Sequence, residues 1–147
     1  MNKPTRAYAF FIAGGFAAAG IIGATVNNRF SIGPHPSSGL VLGVLRTNGW
    51  HNLFHFALFP VALWIGLSKS GRDDRLYALW GGLLYTVLGL VGLARGDDAV
   101  LFNRLPLNTP DSLIHLALGL AGLAAYWAVT RRRATTTPSA AVGTALR

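Results

Sequence analysis

The sequence predicts an all-α fold, a membrane-spanning four-helix bundle made of two tandem helical hairpins related by a parallel pseudo-twofold repeat. Three observations predict it. Four apolar runs carry no Lys, Arg, Asp or Glu, the basic residues crowd onto alternate connections, and the sequence resembles itself at a shift of 60 residues.

The runs cover residues 7–26, 50–68, 76–94 and 112–130. Each is close to the ~20 residues that cross a hydrocarbon core of about 30 Å at 1.5 Å per residue. Only 12% of the chain is charged, where a soluble domain carries roughly 25%. Four such runs in 147 residues leave too little polar chain to cover them in water. Continuous rather than alternating apolar patterning disfavours a barrel, and helices satisfy their own backbone groups in lipid.

In the first run, Lys3 and Arg6 precede an apolar stretch, as in a signal peptide. The stretch exceeds the usual ~7–15 apolar residues of such a peptide and no A-x-A site follows. It is therefore expected to be retained as a span. The connection after it, like the third one, is unusually apolar, with Leu40, Val41, Leu42, Val44 and Leu45 in one and Val100, Leu101 and Phe102 in the other. Both are expected to lie in the membrane interface or to fold back onto the bundle and cap its outer end. The second connection is a tight hairpin. Arg131, Arg132 and Arg133 are expected to stop the last helix, leaving residues 131–147 as a basic, disordered tail.

Nine of the 13 Lys and Arg residues lie in the N-terminus, the second connection and the C-terminal tail, and four lie in the other two connections. The positive-inside rule then puts both termini in the cytoplasm, with the chain in the cytoplasmic membrane. The same distribution accounts for the net charge of +8 without nucleic acid, since no basic stripe is free to enter a groove. The expected partners are the lipid bilayer, other membrane proteins or a second copy. Asp73, Asp74, Asp97 and Asp98 fall between runs and are expected to be solvated. With no cysteine, thiolate metal sites, disulfides and cysteine nucleophiles are excluded.

At the 60-residue shift, Leu45, Asn48, Leu53, His55, Ala57 and Leu58 fall on Leu105, Asn108, Leu113, His115, Ala117 and Leu118. Leu and Ala coincide easily between apolar helices, but paired Asn and His residues do not. Duplication of a two-span unit gives parallel copies about an axis along the membrane normal. Asn48 and Asn108 each stand just before a run, as helix N-caps. His51 and Asp111 take the third helical position, where a capping-box partner sits.

The run N-x-x-H-N-L-F-H over residues 48–55, with N-T-P-D-S-L-I-H-L over residues 108–116, resembles the domain-of-unknown-function family 4383. This is a family of small multi-pass bacterial membrane proteins, common in actinobacteria. The resemblance extends from residue 7 to about residue 130. It implies second and fourth helices that open with H-N-x-x-H and D-x-x-x-H motifs, and it brings no established activity. The family often has a glycine four residues after each second histidine. Gly119 keeps that pattern and Phe59 departs from it.

His51 and His55 share one helix face, as do Asp111 and His115. If the second and fourth helices face each other, the four groups converge in one outer layer. Three roles compete. The histidines bond across helices or to the looped-back outer segments and fix register. Alternatively, His51, His55, Asp111 and His115 bind a divalent metal such as zinc, or His55 and His115 ligate a haem from two helices. The first is the leading expectation, with no cofactor. Small-residue ladders at Gly15, Ala19 and Gly23, and at Ala117, Ala121 and Ala125, are expected to mark close helix contacts. His35 lies in a Gly/Pro/Ser loop and is expected to be solvated.

No nucleophile–base pair, phosphate loop or dinucleotide fingerprint is present. The expected function is therefore a non-catalytic interaction or accessory component of the membrane. The alternatives are a metal- or haem-binding protein and, third, a small transporter or channel that works as an oligomer.

Overall fold

Each apolar run folds as one α-helix. The structure, a computed structural model, describes residues 3–136, with side chains described through residue 132. The helices are α1 (Lys3–Val26), α2 (Gly49–Leu67), α3 (Asp73–Arg95) and α4 (Thr109–Thr136). All four are long and apolar enough to cross a membrane. Their outward faces carry large exposed apolar side chains such as Phe11, Trp64, Trp80 and Trp127. In water such surfaces are a liability, whereas in lipid they need no cover.

One expectation at the last helix is corrected. Arg131, Arg132 and Arg133 do not stop α4, which continues to Thr136. Arginine is a good helix former, and positive charge suits a helix C-terminus. The charges bound the apolar run without breaking the helix. The remainder of the expected disordered tail, including Arg147, lies outside the described residues.

The two apolar connections are β-hairpins. Strands β1 (Gly39–Val41) and β2 (Leu45–Thr47) pair antiparallel, with Val41 opposite Leu45. Strands β3 (Ala99–Leu101) and β4 (Leu105–Leu107) pair likewise, with Leu101 opposite Leu105. A turn bond closes each hairpin, from Val44 N–H to the Val41 carbonyl and from Arg104 N–H to the Leu101 carbonyl, both at 3.0 Å. The central residues all have positive φ, Leu42 and Gly43 in one turn, Phe102 and Asn103 in the other. That is the pattern of a type I′ turn, whose twist matches paired strands. Gly43 and Asn103 suit it. Leu42 and Phe102 do not, and each holds a bulky side chain in a conformation that costs about 1 kcal/mol or more.

The strands β1 and β3, the strands β2 and β4, and the helices α2 and α4 each begin 60 residues apart. Helix α1 packs mainly on α2 and α3 on α4. Across the α3–α4 contact the backbones touch. A Cβ at Gly82 would meet Leu123 N at 2.9 Å, and one at Gly89 would meet Leu116 N at 2.6 Å. Across α1–α2, side chains fill the glycine hollows instead, Phe56 against Gly20 and Phe10 against Gly66. Phe59, where the family pattern favours glycine, is half-buried and packs on the central core of Tyr8, Ile12, Ala13, Phe16, Ala62, Ala78 and Tyr85.

The expected small-residue ladders are only partly contacts. Gly23 lies against Asn52 and Thr47, but a Cβ at Gly15 would meet nothing within 4 Å, and Ala117 and Ala121 are exposed. The expected solvation of the aspartates is corrected at Asp74. Asp73 and Asp74 form the first turn of α3, where negative charge meets the positive helix end. Asp74 is buried there.

Candidate functional site

The site begins at two helix starts. Asn48 has extended backbone angles, and its Oδ1 accepts the N–H of His51 at 3.0 Å, opening α2. Asn108 Oδ1 accepts the N–H of Asp111 at 3.1 Å, opening α4. The Asp111 carboxylate turns back toward the hairpins. Its Oδ2 accepts from the Asn108 N–H at 3.2 Å and from the Arg46 N–H at 2.9 Å. One carboxylate oxygen thus ties its own helix start to strand β2 of the other half. Asp97 Oδ1 adds a further bond, accepting the Thr109 N–H at 2.8 Å.

One turn further along, three imidazoles come together. The ring centroids of His51 and His55 are 4.7 Å apart, and those of His51 and His115 are 6.3 Å apart and nearly parallel. His115 also stacks on Tyr85 of α3 at 5.4 Å, and His55 lies 5.6 Å from Phe16 of α1. All four helices therefore contribute a ring. Nδ1 of His115 is 2.7 Å from the Asp111 carbonyl. A carbonyl only accepts, so Nδ1 carries the proton and a neutral His115 keeps a bare Nε2. His51 is only 8% exposed, and the Nδ1 atoms of His51 and His55 are buried without a hydrogen-bond partner among the described residues. Such atoms are uncommon in folded proteins, and each calls for a reason.

Beside the imidazoles lies a cavity of about 350 Å³. Its walls come from α1, α4 and the first hairpin, and His51, His55, His115 and Tyr85 line it. The rest of its lining is mostly apolar, and Phe11, Ile22, Leu42 and Ile114 on that lining are also exposed on the outer surface. The cavity is thus a groove that opens among exposed apolar side chains on the outside of the bundle, with a polar patch set into an apolar wall. Gly15 and Ala19 line it, which explains why a side chain at Gly15 would meet open space.

Of the residues singled out from sequence, His51, His55 and His115 are brought together. Asp111 lines the same cavity, but its Oδ2 is occupied by two backbone N–H groups. Among the described residues, no group of three or more His, Cys, Asp or Glu side chains is arranged to hold a metal ion. His35 is exposed and apart from the cluster.

Sequence reasoning did not single out Tyr85 or Phe16. It also left Asn52 without a role. This buried residue accepts from the Thr47 hydroxyl at 2.6 Å and donates to the Asn27 carbonyl at 2.8 Å, joining α2 to the end of α1. A polar residue one helical turn after an N-cap was the available signal.

No curated protein and no solved structure gives a significant match to the chain. A family model matches residues 6–128, most of the described structure. The chain belongs to that family, described as a domain of unknown function, DUF4383.

Proposed function

We propose that this protein is a non-catalytic accessory protein of the cytoplasmic membrane that holds a small, membrane-dissolved molecule in the groove between α1 and α4. The observation that carries this reading is the combination of a 350 Å³ groove opening among exposed apolar side chains with three clustered imidazoles on its wall. Ligand sites are commonly apolar clefts with a few converging polar groups, and a lateral opening suits a ligand that arrives through lipid. Both termini face the cytoplasm in this reading, supported by the nine basic residues on their side against four on the other. The hairpins and the groove's polar patch then lie toward the outer face. The 60-residue spacing of hairpins and helices supports an origin by duplication.

A metal-centred role is less well supported by the same residues. His115 is set up as a ligand, with Nδ1 bonded to a carbonyl and Nε2 bare. Yet Asp111 Oδ2 already accepts two backbone N–H bonds, and among the described residues no group of three or more His, Cys, Asp or Glu side chains is arranged to hold an ion. For a haem, His55 and His115 both line the groove, but no observation of the groove favours a haem over a smaller molecule.

The test is organic extraction of protein purified in mild detergent, followed by mass spectrometry. Wild-type protein is expected to retain a membrane-soluble small molecule that Gly15→Trp, which fills the groove, loses. Identical extracts from both proteins would end the proposal.

A further inference from the structure

We infer that the groove takes a lipid-soluble quinone, a flat neutral ring with oxygen atoms at its edge and an isoprenoid tail; this rests on the ligand-binding reading above. Four features of the groove narrow the class. The charges at its edge offset one another, Arg46 lying 3.6 Å from Asp98 and the Asp111 carboxylate accepting two backbone N–H bonds. With no excess charge of one sign on the lining, a neutral head is favoured. The polar wall consists of rings, with His115 stacked between Tyr85 and His51 at interplanar angles of 19° and 17°. Such a wall suits a flat conjugated head, which prefers offset or edge contacts with aromatic rings.

The hydrogen-bonding capacity also fits. A neutral imidazole presents one N–H donor and one bare nitrogen. His115, protonated at Nδ1, offers an acceptor at Nε2, which suits the hydroxyl of a quinol. His51 is bonded to the Arg46 backbone, so of the other two imidazoles it is His55, with its buried Nδ1 unpartnered among the described residues, that can donate to a quinone carbonyl. A set that can both donate and accept recognises the oxidised and the reduced head. Finally, the opening past Phe11 and Ile114 gives an isoprenoid tail a route into the bilayer. No electron transfer is implied, only binding.

The experiment measures equilibrium binding to the full-length protein in lipid nanodiscs. The probes are 2-methyl-1,4-naphthoquinone bearing two isoprene units and, as a head-free control, geraniol, the free two-isoprene alcohol. Wild type is expected to bind the quinone well above geraniol. His55→Phe and His115→Phe are each expected to weaken quinone binding about tenfold, the scale of one lost hydrogen bond. Gly15→Trp, at a position with open space for a side chain, is expected to abolish it while the melting temperature stays near wild type.

If quinone and geraniol bind alike, and the histidine variants change neither, the quinone inference fails while the groove remains a ligand site. If neither probe binds wild type and solvent extracts of the purified protein carry no retained molecule, both readings fail together.

Discussion

Asn48 and Asn108 each hold the other's hairpin. Asn48 Nδ2 donates to the Arg104 carbonyl at 2.7 Å, and Asn108 Nδ2 donates to the Val44 carbonyl at 2.6 Å. Each amide also caps its own helix through Oδ1. One side chain thus satisfies a helix N-terminus and a turn carbonyl sixty residues or so away in the chain, and its counterpart does the reverse. The two hairpins are locked into a reciprocal pair over the histidine cluster.

This reciprocity predicts that Asn48→Ala and Asn108→Ala each destabilise the fold by about 2 kcal/mol. That sum combines loss of a cap, about 1 kcal/mol, with loss of a part-buried hydrogen bond between the halves, about 1 kcal/mol. The double variant should lose less than the two singles together, because either one already releases the hairpin pair. Thermal unfolding in detergent of the four proteins measures the coupling. Strict additivity would mean that the two bonds act independently.

A second prediction concerns the α3–α4 contact. A side chain at Gly82 meets backbone of α4, where nothing can move aside cheaply, so Gly82→Leu should destabilise by roughly 1–3 kcal/mol. Gly14→Leu, at a position with nothing within 4 Å, should leave the melting temperature near wild type. Equal effects at the two sites would show that α3 and α4 do not pack through their glycines.

Much of this fold is legible in the sequence because a bilayer imposes a simple demand. A helix in lipid must be long and uncharged, so the four runs read off directly, and only their ends differ. Helices α1, α3 and α4 start three or four residues earlier, and α4 runs on to Thr136. The hairpins were harder to read. Their strands are three residues each, and the turn residues Leu42 and Phe102 are poor candidates for positive φ, so the usual Asn-Gly or Asp-Gly cue is missing. The asparagines stand out by position alone, whereas the carbonyls they bond, Arg104 and Val44, carry no side-chain signal. His51, His55 and His115 are conspicuous as polar residues in apolar runs. Tyr85 and Phe16 are not, because on α3 and α1 they look like any other core aromatic. Which helices face each other is a property of packing, and it is packing that brings those two rings to the cluster.

The histidines also separate by burial. His115 is part-buried, stacked on Tyr85 and bonded to the Asp111 carbonyl, whereas His35 is exposed. His115→Ala should therefore lower the melting temperature in detergent measurably, by the equivalent of about 1–3 kcal/mol for lost packing and an interior hydrogen bond. His35→Ala should change it by less than about 0.5 kcal/mol. Equal stability of the two variants would remove any structural role for the cluster.

Elemental analysis by mass spectrometry addresses the metal question directly. Protein purified from native membranes without a metal-affinity tag should carry no stoichiometric zinc, copper or iron, because no three of the described His, Asp or Glu side chains are arranged to hold an ion. Near-stoichiometric metal that disappears in a His55/His115 double variant would reverse this and make the cluster a metal centre.

The orientation proposed from charge can be tested with unusual cleanliness, because the chain has no cysteine. Any cysteine introduced is the only thiol. Phe102, 76% exposed at the tip of the second hairpin, and Ser70, exposed in the α2–α3 connection, mark opposite ends of the bundle. With the nine basic residues inside, Phe102→Cys should react with a membrane-impermeant maleimide on intact cells, and Ser70→Cys only after the membrane is opened. The reverse pattern would invert the topology and put the histidine groove toward the cytoplasm. A ligand reaching it from the lipid would then enter from the inner leaflet. Labelling of both sites on intact cells would argue against a span between them, and the groove's exposed rim would need a protein partner rather than lipid to cover it.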